Sequence, residues 1–169
     1  SYSIGAVDKI TVSGNSYGNE LMPNADLTSG SWFEGGTTPA NTVVTSGITS
    51  PISDTSAYRV TSPSSNSGYV STIGIVGITE GNEVGVSVYL KGSGTAEIRF
   101  QELGGNYTNY FTKTIALTSV WTEYKVNGIK AVDGSLPRMI ITSVGTNALD
   151  VYVWHPSVKE SYGAKIETI

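Results

Sequence analysis

Apolar residues at every second position between residues 84 and 100 constrain this chain more than any other feature. Val84, Val86, Val88 and Leu90 alternate with Gly85, Ser87, Tyr89 and Lys91. After Gly92, Ser93 and Gly94 the pattern resumes, with Ala96, Ile98 and Phe100 alternating with Glu97, Arg99 and Gln101. Successive side chains of an extended chain point to opposite sides, so a period of two predicts strands with one buried face. Two such runs around a short glycine-rich break predict a β-hairpin. In such a hairpin one face is core, and the other sets Tyr89, Glu97, Arg99 and Gln101 side by side.

Similar short runs recur along the chain. Ile10 and Val12, Val43 and Val44, residues 58–60 and residues 68–71 read as strands, as do residues 106–115, 117–126, 138–144 and 149–153. Clusters such as Ser62 to Ser67, Glu80 to Asn82, Gly104 to Asn106 and Asp133 with Gly134 read as turns. About nine strands at roughly 8–12-residue spacing predict an all-β, two-sheet antiparallel sandwich. No helical periodicity and no internal repeat interrupt this reading. Trp32 and Phe33 fall in a predicted loop, and His155 with Pro156 is predicted to end the last strong strand. The expected division is an N-terminal arm or linker over residues 1–18, a sandwich domain over 19–158 and a tail over 159–169. Ser1 stands where a Met would open a chain, which suits a processed product or a piece of something longer.

Composition excludes several classes of function. The chain has no cysteine, so it has no disulfide framework, cysteine zinc site or cysteine nucleophile. A formal net charge of −4 argues against a nucleic-acid surface, which needs clustered Lys and Arg. No apolar run approaches the ~20 residues that insertion in a membrane as a helix requires. There is no P-loop, dinucleotide fingerprint or G-x-S-x-G elbow, and His155 is the only histidine. Glu97 and Glu102 are the carboxylates that a glycosidase reading would have to use. Nothing around them predicts the burial that raises a carboxyl pKa, so the chain is expected not to be an enzyme.

Three stretches, in order, resemble the carbohydrate-binding-module jelly rolls of the family 4, 9, 16 and 22 type. The first is Asn19, Glu20, Leu21, Met22, Pro23 and Asn24, through Ala25 and Asp26 to Leu27. The second is Val86 to Lys91 followed by Leu117 to Tyr124, with Trp121 and Tyr124 as its aromatic marks. The third is Asp150 to Val158. The resemblance covers roughly residues 19–158 and implies a jelly roll of the galactose-binding-like kind. It also implies non-catalytic recognition of glycans or cell-surface polysaccharide. Residues 158–164 are similar to the endings of such jelly rolls in bacteriophage structural proteins. The implied settings are therefore a virion fibre, tail or capsid protein, or a secreted modular protein, with the domain outside the cell or on the virion surface.

The family's opening motif often continues with Phe-Glu, whose Glu helps hold a structural calcium. Leu27 and Thr28 stand there instead, and the closing strand has Trp154 or His155 where an Asp is usual. Asp26 and Asp150 remain to rebuild part of such a calcium site, because calcium takes about 6–8 oxygens and carbonyls supply several.

Sugar recognition uses a flat aromatic against the pyranose ring and planar polar side chains against its hydroxyls. The candidate residues are Tyr89, Glu97, Arg99 and Gln101, with Tyr152, Trp154 and Trp32 as further aromatics. Tyr107, Asn109 and Tyr110 could rim a cleft. Trp121 and Tyr124 are expected in the core. Two readings stay open. Either the polar and aromatic residues recognise glycans, or the module is structural and its aromatics are anchors against a second copy or other virion subunits.

Overall fold

A computed structural model describes residues 10–23, 32–35, 42–63 and 69–168. Eleven strands run through them: β1 (Ile10–Tyr17), β2 (Trp32–Gly35), β3 (Val43–Ile48), β4 (Ala57–Ser62), β5 (Tyr69–Thr72), β6 (Glu83–Gly92), β7 (Thr95–Glu102), β8 (Asn109–Ala116), β9 (Thr122–Ile129), β10 (Pro137–Thr142) and β11 (Leu149–Thr168). One sheet has the order β3-β4-β11-β6-β9, with β1 joined to β11, and the other has the order β2-β5-β10-β7-β8. Every pairing is antiparallel. The expected all-β, two-sheet sandwich is the architecture found.

The alternation of residues 84–100 makes the core. Val84, Val86, Val88 and Leu90 from β6 join Ala96, Ile98 and Phe100 from β7, Met139 and Ile141 from β10, and Val151, Val153 and Val158 from β11 in one buried cluster. Leu21 and Met22 pack against it, half-buried, and so does Tyr124, which the sequence places in the core. Trp121 is also half-buried, but lies under the ammonium of Lys91.

The predicted hairpin does not form. β6 pairs with β11 and β9, whereas β7 pairs with β10 and β8. Gly92, Ser93 and Gly94 instead carry the chain from one sheet to the other. Gly92 has φ 153°, Gly94 has φ 78°, and a Cβ on Gly92 would stand 2.5 Å from the Asp150 carbonyl oxygen. The physical reason is burial. In a hairpin two apolar faces lie side by side and both still need a cover. Crossing between sheets turns them toward each other, and each covers the other.

β11 is the longest element, and it passes through His155 and Pro156 rather than ending there. The register slips between Trp154 and Ser157, and His155 adopts φ 51°. Such a bulge is where a strand tolerates a proline, which has no N–H to give the ladder. Beyond it, residues 161–168 pair with β1, from Tyr17 opposite Ser161 to Ile10 opposite Thr168. Segments read as arm and tail thus meet as a ribbon on the larger sheet. Trp32 and Phe33, read as loop, lie in β2, where the Trp32 backbone pairs with Thr72.

Candidate functional site

The crossover separates the expected ligand patch. Tyr89 sits on β6, on the outer side of the six-stranded sheet, whereas Glu97, Arg99 and Gln101 sit on β7, on the outer side of the five-stranded sheet. These two faces are on opposite sides of the sandwich. Tyr89 therefore does not stack beside Arg99 and Gln101, and the four residues are not one site.

On the five-stranded face the register aligns three rows. Arg138 pairs with Gln101, Ile140 with Arg99, and Thr142 with Glu97. On the far side of β7, Glu97 pairs with Thr114, Arg99 with Thr112, and Gln101 with Asn109. The floor between these polar side chains is buried: Ile140 and Thr142 are each 2% exposed, and Ser71, opposite Ile140, is equally covered. Arg138 donates to the Gln101 Oε1 from Nε at 3.1 Å and from Nη2 at 2.6 Å. With its oxygen taken, Gln101 turns its Nε2 to the Asn109 Oδ1 at 2.8 Å. Arg99 pairs with the Glu97 carboxylate, whose other oxygen accepts from the Thr114 hydroxyl at 3.3 Å.

Tyr107 stands at the rim of this face, 55% exposed, with the Arg138 guanidinium 5.2 Å from its ring centroid. It holds φ 54°, a left-handed conformation uncommon outside glycine. The turn that presents it is clamped: Glu102 accepts the Thr108 N–H at 3.2 Å and the Ser135 hydroxyl at 2.9 Å. Those bonds hold the Glu102 carboxyl below its ordinary range, the wrong direction for a general acid. Strand alternation also points Glu97 and Glu102 to different sides of β7, so they form no facing pair.

The six-stranded face gathers the aromatics Tyr89, Tyr152 and Trp154, as expected of residues opposite the core side of their strands. Their rings are already engaged. Tyr89 and Trp154 meet edge to face at 5.1 Å, and the Trp154 Nε1 donates to the Ser56 Oγ at 2.9 Å. Tyr152 lies between two cations from its flanking strands, the Lys91 ammonium at 4.9 Å and the Arg59 guanidinium at 5.5 Å. The Tyr89 hydroxyl bonds to Glu123, which raises the phenol pKa and lowers that of the carboxyl. This face is a band of aromatic and cationic side chains stacked on one another rather than a bare platform.

Of the two calcium candidates, only Asp150 is described. Asp26 lies outside the described residues. Asp150 gives both carboxylate oxygens to Arg59, at 2.9 Å from Nε and 2.8 Å from Nη2, and this pairing depresses its pKa. A cation there would have to displace a guanidinium. Among the described residues no group of three or more His, Asp or Glu side chains could hold a metal ion. Trp32, the remaining candidate, is described by its backbone alone.

Arg138 is the residue that the sequence reading overlooked. The signal was available, because Met139 and Ile141 point to the core and their neighbour must point outward. Asn109 and Tyr107, expected at a cleft rim, do border the Arg138 and Gln101 pair. Tyr110 does not, and instead donates to the Asp133 Oδ2 at 2.6 Å.

No protein-family profile matches the sequence, and no curated protein matches it either. Solved structures do match in fold. A family 4 carbohydrate-binding module superposes with a TM-score of 0.60 at 17% identity, over 95% of this chain and 99% of that one. The family 22 and catalytic modules of Clostridium thermocellum endo-1,4-β-D-xylanase 10B, complexed with xylohexaose, match with a TM-score of 0.57 at 19% identity, over 87% of this chain and 28% of that one. The enzymatically active domain of bacteriophage CBA120 tailspike protein 4 matches with a TM-score of 0.59 at 12% identity, over 78% of this chain. The chain spans only 19% of that tailspike structure. Carbohydrate-binding modules predominate among these structural neighbours, and this chain has their β-sandwich fold.

Proposed function

We propose that the protein is a non-catalytic glycan-recognition module and that its site is the outer face of the five-stranded sheet. One observation carries this reading. Glu97, Arg99, Gln101, Asn109 and Arg138 lie as a layer of planar polar groups over a buried floor, bonded in two sets, Arg138 with Gln101 and Asn109, and Arg99 with Glu97. A sugar hydroxyl both donates and accepts, so it can insert between a guanidinium and a carboxylate or amide without leaving either unpaired. Arg99 keeps 31% of its side chain exposed, and Tyr107 offers a ring at the rim. The bonds already present hold each side chain in place, which lowers the entropy cost of binding. Carbohydrate-binding modules among the fold neighbours support the assignment. The tailspike neighbour supports a setting on a virion appendage, with a secreted modular protein as the other setting. No helix among the described residues is long and apolar enough to cross a membrane. A single shallow site binds weakly, and several copies on one particle would raise the avidity.

The test is a glycan array probed with the wild type and with Arg99→Ala, Gln101→Ala and Tyr89→Ala. Loss in the first two with retention in Tyr89→Ala is the expected result. Loss only in Tyr89→Ala, or no glycan bound by a folded domain, overturns the assignment. A structural module is the second reading, favoured by the band of Trp121, Tyr152, Tyr89 and Trp154. Its mark would be self-association in sedimentation that a Trp154→Ala substitution abolishes.

A further inference from the structure

The six-stranded face carries a second recess, beside the aromatic band. The outward residues of β6 include Tyr89, Ser87 and Gly85, and their size falls toward Gly85. The flanking strands keep longer side chains: Asn127 and Lys125 of β9 pair with Gly85 and Ser87, and Lys159 of β11 also pairs with Gly85. Small residues on a central strand between long ones on its neighbours leave a trough. It measures about 180 Å³. Tyr17 closes one end, 47% exposed, and its ring lies so close over Gly85 that a Cβ there would stand 2.8 Å from Cε1.

Lys125 and Lys159 are the cations that line the trough, and the carboxylates around it are bonded to groups other than Lys159. Glu123 is engaged by the Tyr89 hydroxyl and by Lys125 at 3.3 Å. Glu83 accepts from the Asn127 Nδ2 at 2.9 Å. Glu20 accepts the Met22 and Val158 N–H groups at 2.9 and 2.8 Å and the Ser157 hydroxyl. Lys159 is half-buried and lines the trough, yet its ammonium makes no hydrogen bond or ion pair to any described residue. An anionic group from outside would supply that ammonium with a charged acceptor.

We propose that this trough is a second ligand site and that it takes a carboxylate-bearing pyranose, a hexuronic-acid type of residue. The carboxylate pairs with Lys159, Ser87 and Asn127 meet hydroxyls, and the Tyr17 ring covers the apolar side of the sugar. The site is independent of the five-stranded face and lies on the other side of the sandwich. One domain could then hold two glycan chains at once.

The test uses oligogalacturonate as the acidic probe and a neutral galactan oligomer of equal length as its control, with binding read by calorimetry. Lys159→Gln and the trough-filling Ser87→Tyr should each weaken oligogalacturonate binding roughly tenfold or more, the scale of a hydrogen bond to a charged group. Thermal unfolding establishes that both variants fold. On the wild type, oligogalacturonate should shift the amide resonances of Ser87 and Asn127. The proposal is overturned if the neutral oligomer shifts the Ser87 and Asn127 amides as strongly as the acidic one, if sulfate alone binds as tightly as the acidic sugar, or if no acidic oligomer binds. It is also overturned if both variants bind like the wild type. Failure of the five-stranded site would not touch these results, because neither variant lies on that face.

Discussion

The Arg138 guanidinium grips the one side-chain oxygen of Gln101 with two donors, at 3.1 and 2.6 Å. This fork fixes which way the Gln101 amide faces, and so aims its Nε2 at Asn109. A lysine ammonium cannot reproduce the fork. Arg138→Lys should therefore cost only about 1 kcal/mol of stability in urea unfolding. It should lower glycan affinity at least tenfold in calorimetry, because the polar layer loses its orientation. Unchanged affinity would show that the orientation of Gln101 is irrelevant to binding.

Lys130 is an internal cation. Its side chain is 2% exposed, and its Nζ reaches the Asp133 Oδ1 at 2.6 Å, the Ala131 carbonyl at 2.7 Å and the Glu80 Oε1 at 3.0 Å. The Tyr110 ring lies 5.1 Å from the same ammonium. These bonds tie the turn at residues 79–82 to the turn at 130–135. Lys130→Met removes the counter-charge from two partly covered carboxylates and should cost about 3 kcal/mol, the lower end for a buried pair. Chemical denaturation measures it, and a loss near zero would mean that the carboxylates relax into water.

The same cluster sets an acid limit. Bonds from Lys130 and from the Tyr110 hydroxyl pull the Asp133 pKa from 3.8 down to about 2. A depressed carboxyl stabilises the fold above its unfolded pKa, and that stability is lost as pH falls through the folded value. Urea midpoints should thus drop between pH 4 and about 2, and the drop should be shallower in Lys130→Met. At the alkaline end, burial and the bond to Asp133 push the Tyr110 phenol from 10.0 up to about 12. Its contribution should persist to pH 10 and fade toward 12, which absorbance of the tyrosinate follows.

Gly128 is a packing requirement. A Cβ there would overlap the Phe111 ring, which stacks on Phe100 at 4.9 Å between centroids. Gly128→Ala should cost about 1–3 kcal/mol, the usual range for overpacking, and lower the melting temperature accordingly. A neutral substitution would show that β8 and β9 separate freely.

Much of the fold is legible in the sequence because alternation is a local property. Val84 to Leu90 and Ala96 to Phe100 declare their buried sides without reference to any partner. Pairing is not local, and a glycine-rich break such as residues 92–94 serves a hairpin and a crossover equally well. Placing Tyr89 beside Arg99 was an error of pairing, not of alternation. Pro156 misled for a related reason, since a proline ends a regular strand but also suits a bulge. The candidate residues divided along the same line. Glu97, Arg99 and Gln101 share one strand, so their common face was readable. The contact of Gln101 with Arg138 and Asn109 depends on the register of β10 and β8, which no short motif records.

The most direct measurement is amide chemical-shift mapping with the best oligosaccharide that binds the domain. The account predicts that saturable shifts concentrate on β7, β8 and β10, at Arg99, Gln101, Asn109 and Arg138, and on the turn that carries Tyr107. A neutral glycan whose shifts fall instead on Tyr89, Tyr152 and Trp154, leaving β7 and β10 unmoved, would contradict it.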